Sequence, residues 1–578
     1  MDVEAPKKRS RKLSKKDRKR MSNYFTEYCD ATSIHGFRYL GEQKRSCLEK
    51  LWWFVTIFVS VCICTYLIVQ TYHKWDRSPV IVSFATKQTP IWQIPFPAVT
   101  ICPETKSRQS VFNFTESYLK DFDTLNAKER MELEHISMIC KPRKLLKSKK
   151  LKSMQVNESI LNFFDEIAPG IANMTIKFVW MGEKIDYSAV FTPILTDTGI
   201  CYTFNMLDRR ELFNPVIKPF KNYLHHDRSA QGHWSLENGY SKDEEKDTFP
   251  RRALFSGAKN GMDITLVTYD KDVDYICGDA LQGYKILLHH PAEIPRVSQQ
   301  YFWAPLNQAV IAAIKPDMMT TSDELRTYPP NKRQCYFPSE HSLRFFTVYT
   351  QQNCEIECLA NYTYQLCGCV AFYMPRAADT PICGPGNLLC MKQAETKLLS
   401  GEIDIRLKEL KEEQQNNTEP FQGLMKGIEG ITTKISEIGG KPAESKPKAE
   451  KRTDQSNCKC LQSCTSLSYS VETSQSDWDW VQHYIGLNDP YGFVAANVKN
   501  GTRLAHLSRI VLFFKDMQFI ASERDELYGH IDFLANCGGL LGLFTGFSFI
   551  SLVEVIYFLS LRLLCNMKNK AKKRLNGE

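Results

Sequence analysis

The feature that most constrains this chain is an uncharged stretch near its C-terminus, from Phe533 to Val553. A helix needs about 20 apolar residues to cross a bilayer, so this stretch predicts a membrane span. Within it, Gly538, Gly542 and Gly546 recur every four residues. Small residues at this spacing let membrane helices approach each other backbone to backbone. The span is therefore expected to pack closely against another helix.

Two further features of this stretch are unusual for a helix that only anchors a protein. Gly546-Phe547-Ser548 is a sequence at which a helix can break, and Glu554 follows Ser548 at the end of the uncharged run. An ionisable residue in or beside a span is costly, so it usually faces a protein interior or a water-filled path. We interpret the stretch as a pore-lining helix. The alternative is a dimerising anchor helix whose Glu554 extends to the cytosolic headgroups.

A second uncharged run, from Leu51 to Tyr72, predicts another span, with Trp52, Trp53 and Tyr72 as anchors at the membrane interfaces. Residues 1–20 contain ten Lys or Arg and three acidic residues, and the tail after the C-terminal span is basic up to Glu578. Both termini are therefore predicted to be cytoplasmic and residues 73–531 extracellular. The two tails account for most of the net charge of +9, which indicates contact with an anionic membrane surface rather than with nucleic acid.

The segment between the spans has the markers of a glycosylated, oxidised domain. All six Asn-x-Ser/Thr sequons lie in it, at Asn113, Asn157, Asn173, Asn361, Asn416 and Asn500. Fourteen of the twenty cysteines lie there too, an even number that suits complete pairing as disulfides. Closely spaced cysteines also occur in metal sites, but no matching histidines accompany them. Disulfides are therefore favoured over a metal site.

The same segment predicts a mixed α+β fold without a catalytic site. Strands are predicted at residues 96–102, 176–179, 201–205, 264–269, 284–289 and 510–514. Residues 391–457 are a polar insertion, predicted to begin as a solvated helix and to end as a disordered segment. No zinc-protease, nucleophile-elbow or nucleotide-binding motif occurs in a fitting context, so we expect neither an enzyme nor a cofactor.

The second span, from Gly538 to Glu554, contains the sequence Gly-Phe-Ser-Phe, and residues 33–39 have the sequence Ser-Ile-His-Gly-Phe-Arg-Tyr. These two motifs resemble those of the degenerin/epithelial sodium channel/acid-sensing ion channel superfamily, and most of all its insect pickpocket group. The segments 96–102 and 201–205 also resemble strands of this family. The similarity extends from Cys29 to Leu564.

The fold that this resemblance implies is a membrane protein with two transmembrane helices and a large α+β, disulfide-rich extracellular domain of palm, β-ball, finger, thumb and knuckle. The implied division is a cytoplasmic segment at 1–50, a first span at 51–72, an extracellular domain at 73–531, a second span at 532–564 and a basic tail at 565–578. The thumb would occupy residues 335–465 and contain the 391–457 insertion.

The activity that the resemblance implies is that of a plasma-membrane cation channel. It would prefer sodium, be independent of voltage, be blocked by amiloride and be gated through its extracellular domain. It would form a homotrimer or a heterotrimer with related subunits in the lipid bilayer, and would hold no cofactor besides the permeant sodium ion. The alternative is a non-conducting two-span receptor or adhesion protein, which would carry the same sequons and cysteines.

The resemblance assigns the selectivity filter to Gly546, Phe547 and Ser548, and places Gly542 and Glu554 along the pore toward its inner mouth. A break in the helix at 546–548 would free backbone carbonyl groups, which are tolerated in a membrane where they line water. Rings of such carbonyls could replace part of the hydration shell of sodium. A ring of Glu554 carboxylates would concentrate cations and repel anions.

Gating is assigned to two other places. His35-Gly36 would be a gating motif in a re-entrant cytoplasmic segment below the pore. Ala535 would occupy a position at which a larger side chain holds the channel open.

The resemblance also implies a set of disulfides: Cys102–Cys201, Cys335–Cys464, Cys354–Cys460, Cys358–Cys458, Cys367–Cys390 and Cys369–Cys383. For the remaining two cysteines, Cys140 and Cys277, we expect a seventh pair. The 354–460 and 358–458 bridges would be rungs that join two antiparallel helices.

The chain also departs from the family pattern. Lys332 stands where acid-sensing members carry a tryptophan, and Asn536 stands where they carry an aspartate. The short finger disulfide of those members has no counterpart here. The resemblance therefore does not imply gating by protons.

Overall fold

The computed structural model of the chain describes residues 15–42, 44–77, 80–140, 153–217, 223, 234–240, 249–277, 281–401, 403, 407–408, 410–411, 458–490, 492–566 and 568. The chain divides into two compact units. We call Met1–Ser83, Ser322–Arg333 and Arg524–Glu578 the membrane unit, and Phe84–Thr321 and Gln334–Glu523 the large unit. The predictions for residues 1–14, for most of the 391–457 insertion with Asn416, and for the end of the basic tail lie outside the described residues.

The helices are, in chain order, α1 Lys15–Ala31, α2 Phe37–Gly41, α3 Cys47–Arg77, α4 Phe114–Leu119, α5 Ala127–Cys140, α6 Ser159–Ile167, α7 Ile171–Met174, α8 Tyr187–Val190, α9 Arg209–Leu212, α10 Pro330–Arg333, α11 Gln351–Cys367, α12 Trp480–Gly486, α13 Phe493–Asn497, α14 His530–Thr545 and α15 Phe549–Tyr557. Residues 388–401 are also helical, which places a helix at the start of the insertion as predicted.

The strands are β1 Val80–Phe84, β2 Thr89–Pro90, β3 Ala98–Pro103, β4 Gln155–Val156, β5 Thr175–Trp180, β6 Glu183–Lys184, β7 Phe191–Thr196, β8 Gly199–Phe204, β9 Met262–Tyr269, β10 Gly283–His289, β11 Phe302–Pro305, β12 Gln308–Thr321, β13 Cys335–Tyr336, β14 Ile382–Cys383, β15 Gln462–Ser463, β16 Ser466–Asp477, β17 Val498–Lys499, β18 Thr502–Arg503, β19 Ala505–Phe514, β20 Gln518–Phe519 and β21 Ser522–Glu526. All six predicted strands are present with bounds shifted by a few residues.

The membrane unit contains both predicted spans. The first is α3, which extends beyond residues 51–72 at both ends because polar residues continue the helix past the apolar run. The second is interrupted at residues 546–548, so that α14 and α15 are separate helices, as the Gly-Phe-Ser sequence predicts. After α15 the chain continues through a π-helical turn at Phe558–Arg562. By length and composition, Cys47–Asp76 and Phe549–Asn566 could each cross a membrane.

The large unit contains two main sheets. One has the strand order β11-β10-β3-β8-β7, and its strands β3, β8 and β10 are buried along their whole length. In the other, β12 pairs with β16 over twelve residues and with β19 in parallel, and the sheet continues through β9 and β5 to β6. Fully buried strands of this kind have apolar residues on both faces, because both faces contact protein. Phe96, Phe178 and Phe514 are among the largest buried side chains of the resulting core.

Seven disulfides hold the large unit together, and all fourteen of its cysteines take part. The pairs are those given above, including Cys140–Cys277. The prediction that two bridges join two antiparallel helices is wrong in one respect. Cys354 and Cys358 lie one turn apart on α11, but Cys458 and Cys460 lie in an extended segment that leads into β15. Cysteines two residues apart suit an extended backbone, in which alternate side chains point the same way.

Candidate ion pathway

The break in the second span is a capped junction between two helices. Gly546 follows the last residue of α14 and has a φ of 65°, in the left-handed region that glycine adopts without strain. Ser548 begins α15: its Oγ accepts the Ser551 N–H at 3.3 Å, while the Ser551 Oγ accepts the Ser548 N–H at 3.1 Å. Among the described residues, the carbonyl groups of Gly546 and Phe547 accept no hydrogen bond. The junction therefore holds two carbonyl groups available to a ligand.

The predicted gating motif lies directly against this break. The His35 N–H donates to the Thr545 carbonyl at 2.9 Å, and so satisfies one of the acceptors that the end of a helix leaves open. A Cβ atom on Gly546 would lie only 2.7 Å from His35 Cγ and Cδ2. Gly36 has a φ of 86°, and a Cβ there would lie 3.0 Å from Ile57 Cδ1. Residues 34–37 thus pack between α3 and the junction, and we call them the re-entrant segment after the prediction.

A cavity of about 410 Å³ lies beside this segment. Its walls are mostly apolar and come from the re-entrant segment, α3, the end of α14 and the junction, and they include the rings of Phe37, Trp53, Phe544 and Phe547. The re-entrant segment therefore contacts both helices without filling the space between them.

Glu554 is bound by the segment that precedes α2. The Ser33 N–H and the Ser33 hydroxyl both donate to Glu554 Oε2, at 3.1 and 3.2 Å. The Ser33 Oγ also lies 2.7 Å from the Oγ of Ser551, which is fully buried. Ser551 and Glu554 lie about one turn apart on α15, so the two polar groups share one helix face.

The same face continues along the C-terminal extension of α15 and meets α1. The Tyr24 hydroxyl donates to the Phe558 carbonyl, and the Tyr28 ring lies 5.3 Å from the Phe558 ring. Arg562 forms an ion pair with Glu27. Sequence analysis did not identify these partners. The sequence does show polar residues at helical spacing along α15 and its extension, and these could have indicated a polar contact. Their partners could not be identified, because they are more than 500 positions away in the sequence.

The first half of the interrupted span, α14, has two different faces. Phe533 packs on α3, with its ring 5.2 Å from that of Trp75 and 6.2 Å from that of Tyr72. On the other side, a Cβ at Gly538 or Gly542 would meet no described atom within 4 Å. Ala535 is also exposed. Within a single chain, the predicted close-packing face is therefore open to the described residues at Gly538 and Gly542, whereas Gly546 packs against His35.

Lys332 makes an ion pair at the C-terminal end of α3. Its Nζ lies 2.6 Å from Asp76 Oδ1. In the same segment, the Tyr328 hydroxyl donates to the Glu526 carboxylate. Burial is the larger cause and this hydrogen bond the smaller one that raise the pKa of Tyr328 to about 12. Residues 322–333 are thus tied by polar contacts both to α3 and to the residues that precede α14.

The described sequons lie at the surface of the large unit. Asn157, Asn173, Asn361 and Asn500 are exposed. Asn113 is half-buried, and its Oδ1 accepts the Glu116 N–H at the start of α4, which leaves its amide nitrogen uncommitted by that bond. Glycosylation at these positions remains a prediction.

Comparison with known proteins gives the family. A profile described as amiloride-sensitive sodium channel matches residues 28–558. The chain is 24% identical over 564 residues to pickpocket protein 28 of Drosophila melanogaster, a match that covers 95% of this chain and 80% of that protein. It is 22% identical over 569 residues to sodium channel protein Nach of the same species, covering 95% of this chain and 89% of that protein. It is 21% identical over 559 residues to human acid-sensing ion channel 2, covering 92% and 85%.

The matched region includes both parts of the candidate ion pathway. These are the re-entrant segment with α3, and the interrupted second span down to Phe558. Two membrane helices and a disulfide-rich α+β unit are also the fold that the resemblance implied. The chain therefore belongs to the amiloride-sensitive sodium channel family and is a cation channel subunit, not an enzyme.

Proposed function

We propose that three subunits of this kind form a sodium-preferring, voltage-independent, amiloride-blocked channel in the plasma membrane. In this proposal both termini are cytoplasmic, and residues between the spans are extracellular. The assembly contains either three copies of this chain or related subunits together with it. The observation that carries the proposal is the junction at Gly546–Ser548, where two backbone carbonyl groups within the apolar stretch accept no hydrogen bond from any described residue.

The physical reason is that a bilayer provides no water to unpaired backbone groups. Each such group costs several kcal/mol, roughly, unless it lines protein or a water-filled path. An anchor helix gains nothing from such a break, whereas a channel can use the carbonyls of Gly546 and Phe547 as ligands for a partly dehydrated cation. Three chains would supply a ring of them.

The open glycine face supports assembly around a common axis. Gly538 and Gly542 have empty space beside them in one chain, and small residues at this spacing favour close helix contacts in membranes. Glu554 would then add negative charge on the cytoplasmic side of the filter and raise the local concentration of cations.

Gating through the extracellular domain is a further part of the proposal. The large unit is held by seven disulfides and can act as a stiff receptor for a stimulus. Residues 322–333 interrupt its sequence and belong to the membrane unit, which provides a covalent route from one unit to the other.

Whole-cell recording tests the proposal directly. The chain is expressed alone and together with related subunits, and currents are measured in sodium, in potassium and with sodium replaced by N-methyl-D-glucamine. We expect inward current in sodium, a smaller one in potassium, none in the organic cation, and block by amiloride. Surface trimers that carry no current under any stimulus would favour the receptor or adhesion alternative. A potassium current as large as the sodium current would refute the assigned selectivity.

A further inference from the structure

We infer that Ser33 is a positioning residue for ion permeation, which links the carboxylate of Glu554 to the filter residue Ser548 through Ser551. The inference rests on the proposed function, because it concerns how the pore conducts. It goes beyond it by assigning to one side chain, Ser33, both the orientation of the Glu554 carboxylate and its hydrogen-bonded link to Ser548.

The first step is a continuous series of hydrogen bonds. The Oγ atoms of Ser548 and Ser551 lie 3.2 Å apart, those of Ser551 and Ser33 lie 2.7 Å apart, and the Ser33 Oγ lies 3.2 Å from Glu554 Oε2. Ser33 is separated from Ser551 by 518 positions and from Glu554 by 521. The N-terminal segment therefore closes the gap between two residues of the same helix.

The second step concerns the direction of the bonds. An ionised carboxylate can only accept, so the Ser33 hydroxyl must donate to Glu554. A hydroxyl has one hydrogen, so the Ser551 hydroxyl then donates to Ser33, and the Ser548 hydroxyl is the donor to Ser551. Every hydroxyl in the series points toward Glu554. Bonds aligned in this way polarise one another and strengthen the series as a whole.

The third step concerns the free oxygen of Glu554. Ser33 binds Oε2 through both its N–H and its hydroxyl, while among the described residues Oε1 has no hydrogen-bond partner. A glutamate has three side-chain torsions, and two bonds to one oxygen fix the orientation of the other. Ser33 thus holds the carboxylate in one orientation with Oε1 available to an ion or to water.

The buried position of Ser551 makes the series difficult to replace. Its side chain is fully buried, so its hydroxyl has no access to bulk water. Without Ser33, the Ser551 hydroxyl would lose its acceptor and could donate only to the Ser548 hydroxyl, 3.2 Å away, which would reverse the bond between the two serines. Removal of Ser33 should therefore disturb Ser548 as well as Glu554.

The test is single-channel recording of Ser33→Ala, with Ser46→Ala as the matched control. Ser46 also precedes the first span, and its hydroxyl donates to a glutamate, Glu49, at 2.9 Å. Among the described residues, no hydrogen bond or ion pair joins Ser46 or Glu49 to α15. We expect Ser33→Ala to lower the sodium conductance roughly two-fold, because a disordered carboxylate ring concentrates cations less well, and to lower the sodium-to-potassium permeability ratio. Ser33→Thr should retain wild-type values, and Ser46→Ala should not change them.

A double-mutant cycle then assigns the mechanism. In a Glu554→Gln background, Ser33→Ala should have little further effect on conductance, since the charge that Ser33 orients is gone. If Ser33→Ala does not reach the surface, the same cycle is run with Ser551→Ala. A conducting wild type in which both Ser33→Ala and Ser551→Ala conduct normally would overturn the inference and leave the proposed function intact. Equal effects with and without Glu554 would also overturn it.

Discussion

The large unit and the membrane unit are each stabilised internally by a different kind of contact. Every cysteine of the large unit is in a disulfide, and its central strands are buried along their length. All six remaining cysteines are free thiols and belong to the membrane unit. That unit depends on hydrogen bonds such as those from Ser33 and His35, on ion pairs such as Arg562–Glu27 and Lys332–Asp76, and on aromatic contacts.

This difference indicates where movement is expected. Disulfides restrict the unfolded chain and resist separation of the segments they join. Single hydrogen bonds each contribute only about 0.5–1.5 kcal/mol, so the contacts of the membrane unit can be exchanged at little cost. The cavity beside the re-entrant segment gives that segment room to shift. We therefore expect substitutions in the membrane unit to change channel activity, and those in the large unit to change stability.

The largest effect is predicted for Gly546→Ala. A non-glycine residue in the left-handed conformation costs about 1–2 kcal/mol, and the new methyl group would in addition overlap the His35 ring. The junction must then open or the re-entrant segment must leave it, and in either case the filter is lost. We expect surface trimers without sodium current, or with a strongly reduced sodium-to-potassium ratio.

The control for this variant is Gly486→Ala at the end of α12 in the large unit, where a Cβ meets no atom within 4 Å. It should give normal currents. Wild-type selectivity in Gly546→Ala would show that the junction is not the filter.

The break itself could be predicted from the sequence, but the reason for its glycine could not. Gly-Phe-Ser within an apolar run indicates a helix junction, because glycine ends helices and serine begins them. The sequence does not reveal that His35 occupies the space beside Gly546, since that contact depends on the path of the chain between α1 and α3. The contact of Ser33 with Glu554 was missed for the same reason.

The large unit shows a different limit. Its strands follow from local patterns of β-branched and apolar residues, so their positions could be predicted to within a few residues. The disulfide partners came from family resemblance, since spacing alone permits many pairings. The expected helix at Cys458 and Cys460 was wrong because a two-residue spacing fits a strand better than a helix turn, which the local pattern already indicated.

The second prediction is constitutive current in Ala535→Phe and Ala535→Val. Ala535 lies on the open face of α14, where three chains would meet near the outer mouth. Overpacking costs about 1–3 kcal/mol per site, so three sites could disfavour a closed state by roughly 3–9 kcal/mol if the costs add. A shift of a two-state gate from 1:99 to 99:1 needs about 5.5 kcal/mol.

We therefore expect sodium current without a stimulus and loss of viability in cells that express either variant. The measurement is holding current in the presence and absence of amiloride. Surface-expressed Ala535→Phe trimers that stay silent, beside a wild type that can be opened, would place residue 535 away from the gate.

The third prediction concerns pH and the stability of the large unit. Burial raises the pKa of Glu293 to about 7, against opposing bonds from Thr350 and the His290 backbone. The folded state therefore keeps a proton that the unfolded state releases, and this group makes stability fall as pH rises from about 4.5 to 7. Burial lowers the pKa of His289 to about 4 and that of His290 to about 3, so these two groups act in the opposite direction and make stability rise with pH up to about 6.5.

Glu293→Gln should remove the loss of stability that occurs as the pH rises, and should leave the contributions of His289 and His290 unchanged. In thermal unfolding of the purified full chain, the melting temperature of Glu293→Gln relative to wild type should be higher at pH 8 than at pH 5. Glu183→Gln, at an exposed position of the same unit, should show no such difference. A difference that is the same at both pH values would mean that Glu293 is not buried as a neutral acid.

The smallest effect is predicted for the ion pair between Lys332 and Asp76. Both side chains are partly exposed, at 41% and 46%, so water and salt screen their attraction. Exposed pairs contribute about 0–1 kcal/mol, which corresponds to no more than roughly a five-fold change in a gating equilibrium. Lys332→Asp and Asp76→Lys should each shift the open probability by such a factor, because each places like charges side by side.

The double variant, Lys332→Asp with Asp76→Lys, should restore the wild-type open probability, and raising the salt concentration should reduce the effect of each single change. Lys515→Asp, which breaks an exposed pair with Glu472 inside the large unit, is the matched control and should leave the open probability unchanged. If the charge swap fails to restore the wild-type value, the pair does not link residues 322–333 to α3. If Lys515→Asp has the same effect as Lys332→Asp, gating is sensitive to charge throughout the chain, and the contrast between the two units does not hold.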